Sequence, residues 1–119
     1  MKEKSSCSFG KELETYIAQK FKELGYKFAC RSNGSGNKGS VGDISGIDCL
    51  AVECKNKSTK DITIKEDVWQ KLVNELPLHS SRMPMYALRN KNKKTWCVMD
   101  SEDFFVILKG YLENLNGRV

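Results

Sequence analysis

Between residues 41 and 99 the chain changes its apolar period twice, and this constrains the fold more than any other feature. Residues 41–56 alternate as a strand pair. Residues 65–76 carry a helical stripe of Val68, Trp69, Leu72, Val73 and Leu76, ended by Pro77. Pro84–Arg89 and Thr95–Met99 return to strands around the basic turn Asn90–Lys94. Adjacent strands pair antiparallel, whereas a strand–helix–strand passage demands a parallel neighbour. A mixed central sheet flanked by helices satisfies both. The remaining segments fit this frame. Phe9, Leu13, Ile17, Phe21 and Leu24 define a first helix, stopped by Gly25. Tyr26–Arg31 reads as a strand and Ser32–Ser40 as a loop without an apolar residue. Asp61–Ile64 is a β-like link, and Asp100 caps a last helix over 101–115 with Phe104, Leu108, Tyr111 and Leu115 on one face. The expected order is α-β-β-β-α-β-β-α in one domain of 119 residues, with residues 1–8 as a flexible tail.

No segment is apolar enough to span a bilayer, and no signal-peptide core follows the charged N-terminus, so the expected location is the cytoplasm. The five cysteines (Cys7, Cys30, Cys49, Cys54 and Cys97) are odd in number and irregularly spaced. They read as small buried hydrophobes rather than as a disulfide framework. A structural zinc would need four good ligands, and His79, in a loop-like stretch, is the only histidine. The net charge of +5 is modest, but its distribution is informative. Arg31 and Lys38 precede the 41–56 hairpin, while Lys55, Lys57, Lys60 and Lys65 follow it. Arg89, Lys91, Lys93 and Lys94 cluster at a later turn. A basic flank of this kind suits a nucleic-acid backbone.

A turn centred near Asp48 sets Asp43 opposite Glu53, and strand alternation points Glu53 and Lys55 to one side. Two carboxylates and an ammonium converge there. Hard oxygen ligands suit Mg²⁺, and a nearby cation compensates the charge that builds during phosphodiester hydrolysis. The bland alternative is that Asp43 and Glu53 are exposed acids pairing with lysines. No Ser-His-Asp or Cys-His arrangement is available.

Asp43, nine intervening residues, then Glu53-x-Lys55 resembles the motif of the PD-(D/E)xK nuclease superfamily, whose αβββαβ core is the restriction-endonuclease-like fold. Residues 10–76 are similar, more specifically, to archaeal-type Holliday junction resolvases and their phage relatives. The matching features, in order, are Glu14 on the first helix, the Gly25-Tyr26 step, the segment Arg31-Ser32-Asn33-Gly34-Ser35 and then the hairpin. Gly42 stands where that family often has proline before the aspartate. The resemblance implies that Asp43 and Glu53 ligate Mg²⁺ (Mn²⁺ substituting), joined by the Cys54 carbonyl. Glu14 would act as a ligand or through an intervening water. Glu12 competes for that role, but Glu14 keeps the family's distance from Gly25 and lies at the edge of the apolar face. Lys55 would orient the attacking water. Arg31 and Ser35 would contact the scissile phosphate, with Ser32, Gly34, Lys38, Lys57 and Lys60 along the DNA.

The function so implied is a Mg²⁺-dependent endonuclease of branched DNA, a Holliday junction resolvase serving recombination or repair. Cutting two strands symmetrically calls for two active sites and hence a homodimer, with the last helix or the Trp69 helix as interface. Two alternatives remain open. One is a sequence-specific, nicking or restriction-like enzyme of the same fold. The other is a DNA-binding module without catalysis. Gln70 is read as either facing the site or an ordinary surface residue, and Trp69 as core.

Overall fold

A computed structural model describes residues 6–32 and 41–117. The elements follow the expected order: α1 (Ser6–Glu23), β1 (Cys30–Arg31), β2 (Ile44–Ser45), β3 (Leu50–Asn56), α2 (Glu66–Glu75), β4 (Met83–Arg89), β5 (Thr95–Met99) and α3 (Ser101–Asn116). The five strands form one sheet in the order β1-β2-β3-β4-β5. β3 and β4 are parallel, joined by the α2 crossover, and the other neighbours are antiparallel. The architecture is therefore mixed α/β.

Alternation along the long strands divides the core in two. Val52, Met85 and Ala87 face α1 and meet Leu13, Ile17 and Ala18. Ala51, Tyr86 and Leu88 face α2 and meet Leu72, Val68 and Trp69. Tyr86 also donates to the Val68 carbonyl at 2.8 Å, and Trp69 stacks on it at 5.7 Å. Trp69 is thus core, as expected.

Three details differ from the sequence reading. The strand expected over 26–31 keeps only Cys30–Arg31, because Tyr26–Ala29 closes on itself through an Ala29 N–H to Tyr26 carbonyl bond at 3.0 Å. α1 begins at Ser6, ahead of the first periodic residue. α3 is capped as expected, Asp100 Oδ1 accepting from the Glu102 N–H at 2.8 Å. None of its residues is buried, however, and of its large apolar side chains only Leu108 is half-covered. Helical periodicity identifies an apolar face but not what covers it.

Candidate active site

Asp43 is positioned by backbone constraint on both sides. Gly42 sits at φ +87°, and a Cβ there would lie 2.5 Å from the Val52 carbonyl oxygen. Proline, fixed near φ −65°, has no place on this backbone, so the glycine is a requirement of the turn. The Asp43 N–H then donates to the Val52 carbonyl at 2.6 Å, and the Ser32 N–H donates to the Asp43 carbonyl at 2.8 Å. The Cys54 N–H donates to Asp43 Oδ2 at 2.7 Å, which aims the carboxylate along β3. The ladder pairs Ile44 with Val52, the register that sets Asp43 opposite Glu53 as expected.

Glu53 is half-buried, and its carboxyl is pushed up to about 7. Burial is the main cause, the Asp43 charge the second. Lys55 opposes the rise, while Glu75 and a hydrogen bond with Asp43 add to it. Physically, burial and the neighbouring carboxylate both disfavour the ionised form of Glu53. Lys55 Nζ lies 3.7 Å from Glu53 Oε1. Both line a hollow of about 140 Å³ between β3 and α2, with Lys71, Glu75 and Tyr86. Asp43 and Glu53 are two hard oxygen donors of the kind a divalent cation takes, with a cation's remaining positions left to water.

Glu14 does not join the pair. Its Oε2 accepts from Arg31 Nε at 2.9 Å. α1 covers the sheet face that carries Cys54, whereas Glu53 points to the α2 face. Glu14 therefore approaches β3 from the opposite side. The Cys54 thiol, raised first by burial and then by the charges of Asp43, Glu14 and Glu53, shows all three acids around this residue. Among the described residues no three His, Cys, Asp or Glu side chains are grouped closely enough to hold a metal ion.

The other expected residues are dispersed. Ser32 touches Asp43 through its backbone, while Gly34, Ser35 and Lys38 lie outside the described residues. Lys57 is half-buried beside Arg89, its N–H donating to the Arg89 carbonyl at 2.7 Å, and Lys60 is exposed near Asn90. Gln70 is an exposed residue that donates to Asn74 Oδ1 at 3.0 Å. Cys30, Cys49 and Cys97 are exposed and Cys54 is partly covered, so among the cysteines whose burial is described none is the buried hydrophobe expected. β1 and β5 are the edges of the sheet, and Cys49 lies in the β2–β3 turn, so these positions have little above them.

Two contributors escaped the sequence reading. Arg82, just before β4, donates through Nη2 to the Leu50 carbonyl at 3.0 Å and the Val41 carbonyl at 3.3 Å. It thereby ties the start of the Asp43 turn to β3. Glu75, one helical turn from Lys71 on α2, adds charge against Glu53. Its helical position relative to Leu72 was the available signal. No family model matches the chain, and no curated protein or solved structure matches it.

Proposed function

We propose that the protein is a Mg²⁺-dependent endonuclease acting on branched DNA, four-way junctions foremost, and that it works as a homodimer. The observation that carries this reading is the Asp43–Glu53 pair, set opposite each other by the β2–β3 register, with the Lys55 ammonium alongside. In this reading Asp43 and Glu53 would hold the cation together with the Cys54 carbonyl, and Glu14 would contribute from the α1 side through an intervening water. A bound Mg²⁺ supplies Lewis acidity at the phosphoryl oxygens and a more acidic water. The protein's part is positional. The Cys54 amide fixes the Asp43 carboxylate opposite Glu53. Lys55 places a positive charge where negative charge develops on phosphorus. Arg31 and Ser32, next to Asp43, bind the flanking phosphate.

The test offers four-way junctions and linear duplexes of matched sequence, with and without Mg²⁺. The expected result is Mg²⁺-dependent cutting of junctions that vanishes in Asp43→Asn. Lys55→Ala should still bind DNA yet cut about 10²–10³-fold more slowly. Cutting that persists in Asp43→Asn would falsify the assignment. Preference for particular linear sequences would instead favour a restriction-like enzyme, and metal-dependent cutting of neither substrate would leave a DNA-binding module.

A further inference from the structure

At the far end of the parallel strands the sheet holds a buried guanidinium without an acid. Arg89 ends β4 and is only 9% exposed. Its Nε donates to Thr95 Oγ1 at 2.8 Å, and its guanidinium carbon lies 4.9 Å from the centre of the Tyr16 ring on α1. No carboxylate of a described residue pairs with it; the ion pairs of the described residues use other cations. Holding a charge in this state is costly unless something compensates it. No fully buried side-chain nitrogen or oxygen among the described residues lacks a hydrogen-bond partner. The two terminal nitrogens of Arg89, which have no acceptor among the described residues, are therefore not sealed from solvent, and Arg89 lines the adjoining cleft.

That cleft has a volume of about 520 Å³, and Arg89, Lys55, Lys57, Lys91, Lys93 and Glu12 line it. Lys93 Nζ is 3.3 Å from Glu12, which cancels one charge of each sign and leaves a positive excess. The turn presenting the lysines is fixed rather than loose. Asn90 Oδ1 accepts from the N–H groups of Asn92 and Lys94, both at 2.9 Å, and the Lys91 N–H donates to the Thr59 carbonyl at 3.0 Å. A planar fork of donors, pre-positioned and flanked by ammonium groups, is what a phosphate oxyanion requires.

Resting on the nuclease reading, we infer that this cleft seats a backbone phosphodiester of the DNA strand several nucleotides from the cut. Arg89 is three positions beyond Tyr86, the register partner of Glu53, about 10 Å along the strands, and it lies on the α1 face whereas Glu53 lies on the α2 face. A strand contacting both therefore passes round the ends of β3 and β4 and spans at least about three nucleotides. Lys55 lines both this cleft and the hollow beside Glu53, so the two sites meet around the ends of β3 and β4. Arg89 is a positioning residue for the strand, not a catalytic one.

The test is read as binding, without divalent metal, so that it is independent of cutting. A labelled oligonucleotide is titrated across a salt series against wild type, Arg89→Lys and the double variant Lys57→Ala/Lys91→Ala. Loss of the fork should weaken binding about 10-fold. The double variant should lower the slope of log K against log salt by about two. On the wild-type protein, the Arg89 Nε–H resonance should shift saturably with oligonucleotide, which keeps the test alive if Arg89→Lys fails to fold. Unchanged affinity and slope in the variants, with no resonance shift, overturns the inference even if Mg²⁺-dependent cutting is seen. Saturation by inorganic phosphate or by polyglutamate but not by oligonucleotide also overturns it, in favour of a small anion or an acidic protein. Oligonucleotide binding at Arg89 without any cutting would sustain the cleft and remove the nuclease.

Discussion

Glu53 carries the most testable property of any single residue. Its folded-state carboxyl sits near 7, above the ordinary 4.5. A raised carboxyl stabilises the fold below its unfolded value, and that contribution is lost as pH climbs through about 7. Without divalent metal, wild-type stability should therefore fall between pH 5 and 8, by on the order of 1 kcal/mol. Glu53→Gln, which keeps the shape and removes the charge, should show a flatter profile over the same interval. Mg²⁺ should raise the melting temperature of wild type at pH 8 and leave Glu53→Gln unmoved. Thermal melts across pH, with and without metal, check both; parallel profiles for the two proteins would mean that the Glu53 carboxyl is not raised. The pairing itself was legible in the sequence, because a constant residue sum across one turn decides which side chains oppose. The partner of Glu14 was not. A residue at the edge of an apolar stripe shows that it borders a sheet, but not which face of that sheet its helix will cover.

At the scale of elements, the hairpin bearing Asp43 depends on two glycines with left-handed backbone, Gly42 and Gly46. A side chain at Gly42 would strike the Val52 backbone, and one at Gly46 would strike the Phe28 carbonyl. Gly42→Ala should thus cost about 2 kcal/mol or more, combining an unfavourable φ with the clash. Gly110, midway along α3 with nothing within 4 Å of a built Cβ, supplies the control. Gly110→Ala should stabilise by roughly 0.5–1 kcal/mol through helix propensity. Chemical denaturation of both variants reads the contrast, and a tolerated Gly42→Ala would mean that the turn relaxes to another conformation. Most elements were visible beforehand because their apolar periods are long: α1, α2 and β3 to β5 are all cohesive runs. The two-residue strand β1 is too short to show a period. Its pairing with β2 comes from tertiary ties such as Ser32 to Asp43, which local pattern does not encode.

For the molecule as a whole, α3 poses the question of association. Phe104, Phe105, Val106, Ile107, Tyr111, Leu112 and Leu115 are each between 43% and 60% exposed. Of these, Phe104, Ile107, Tyr111 and Leu115 share one face of the helix, and about half of four large side chains leaves on the order of 300–400 Å² open there. That matches the largest apolar patch of a typical monomer and is about half of the roughly 800 Å² each partner buries in a standard interface. A second copy is the occupant the proposed activity calls for, since symmetric cutting of two strands needs two Asp43–Glu53 centres in one particle. A two-fold pairing of α3 with α3 would cover the face with its own equivalent. Sedimentation at micromolar concentration should accordingly give twice the 13.5 kDa of one chain. Ile107→Glu with Leu112→Glu should return the single-chain mass while leaving the Asp43 hairpin folded. The dissociated variant should then nick one strand of a junction at a time instead of resolving it in paired cuts. Wild-type protein that sediments as a single chain yet makes paired cuts would rule out this assembly.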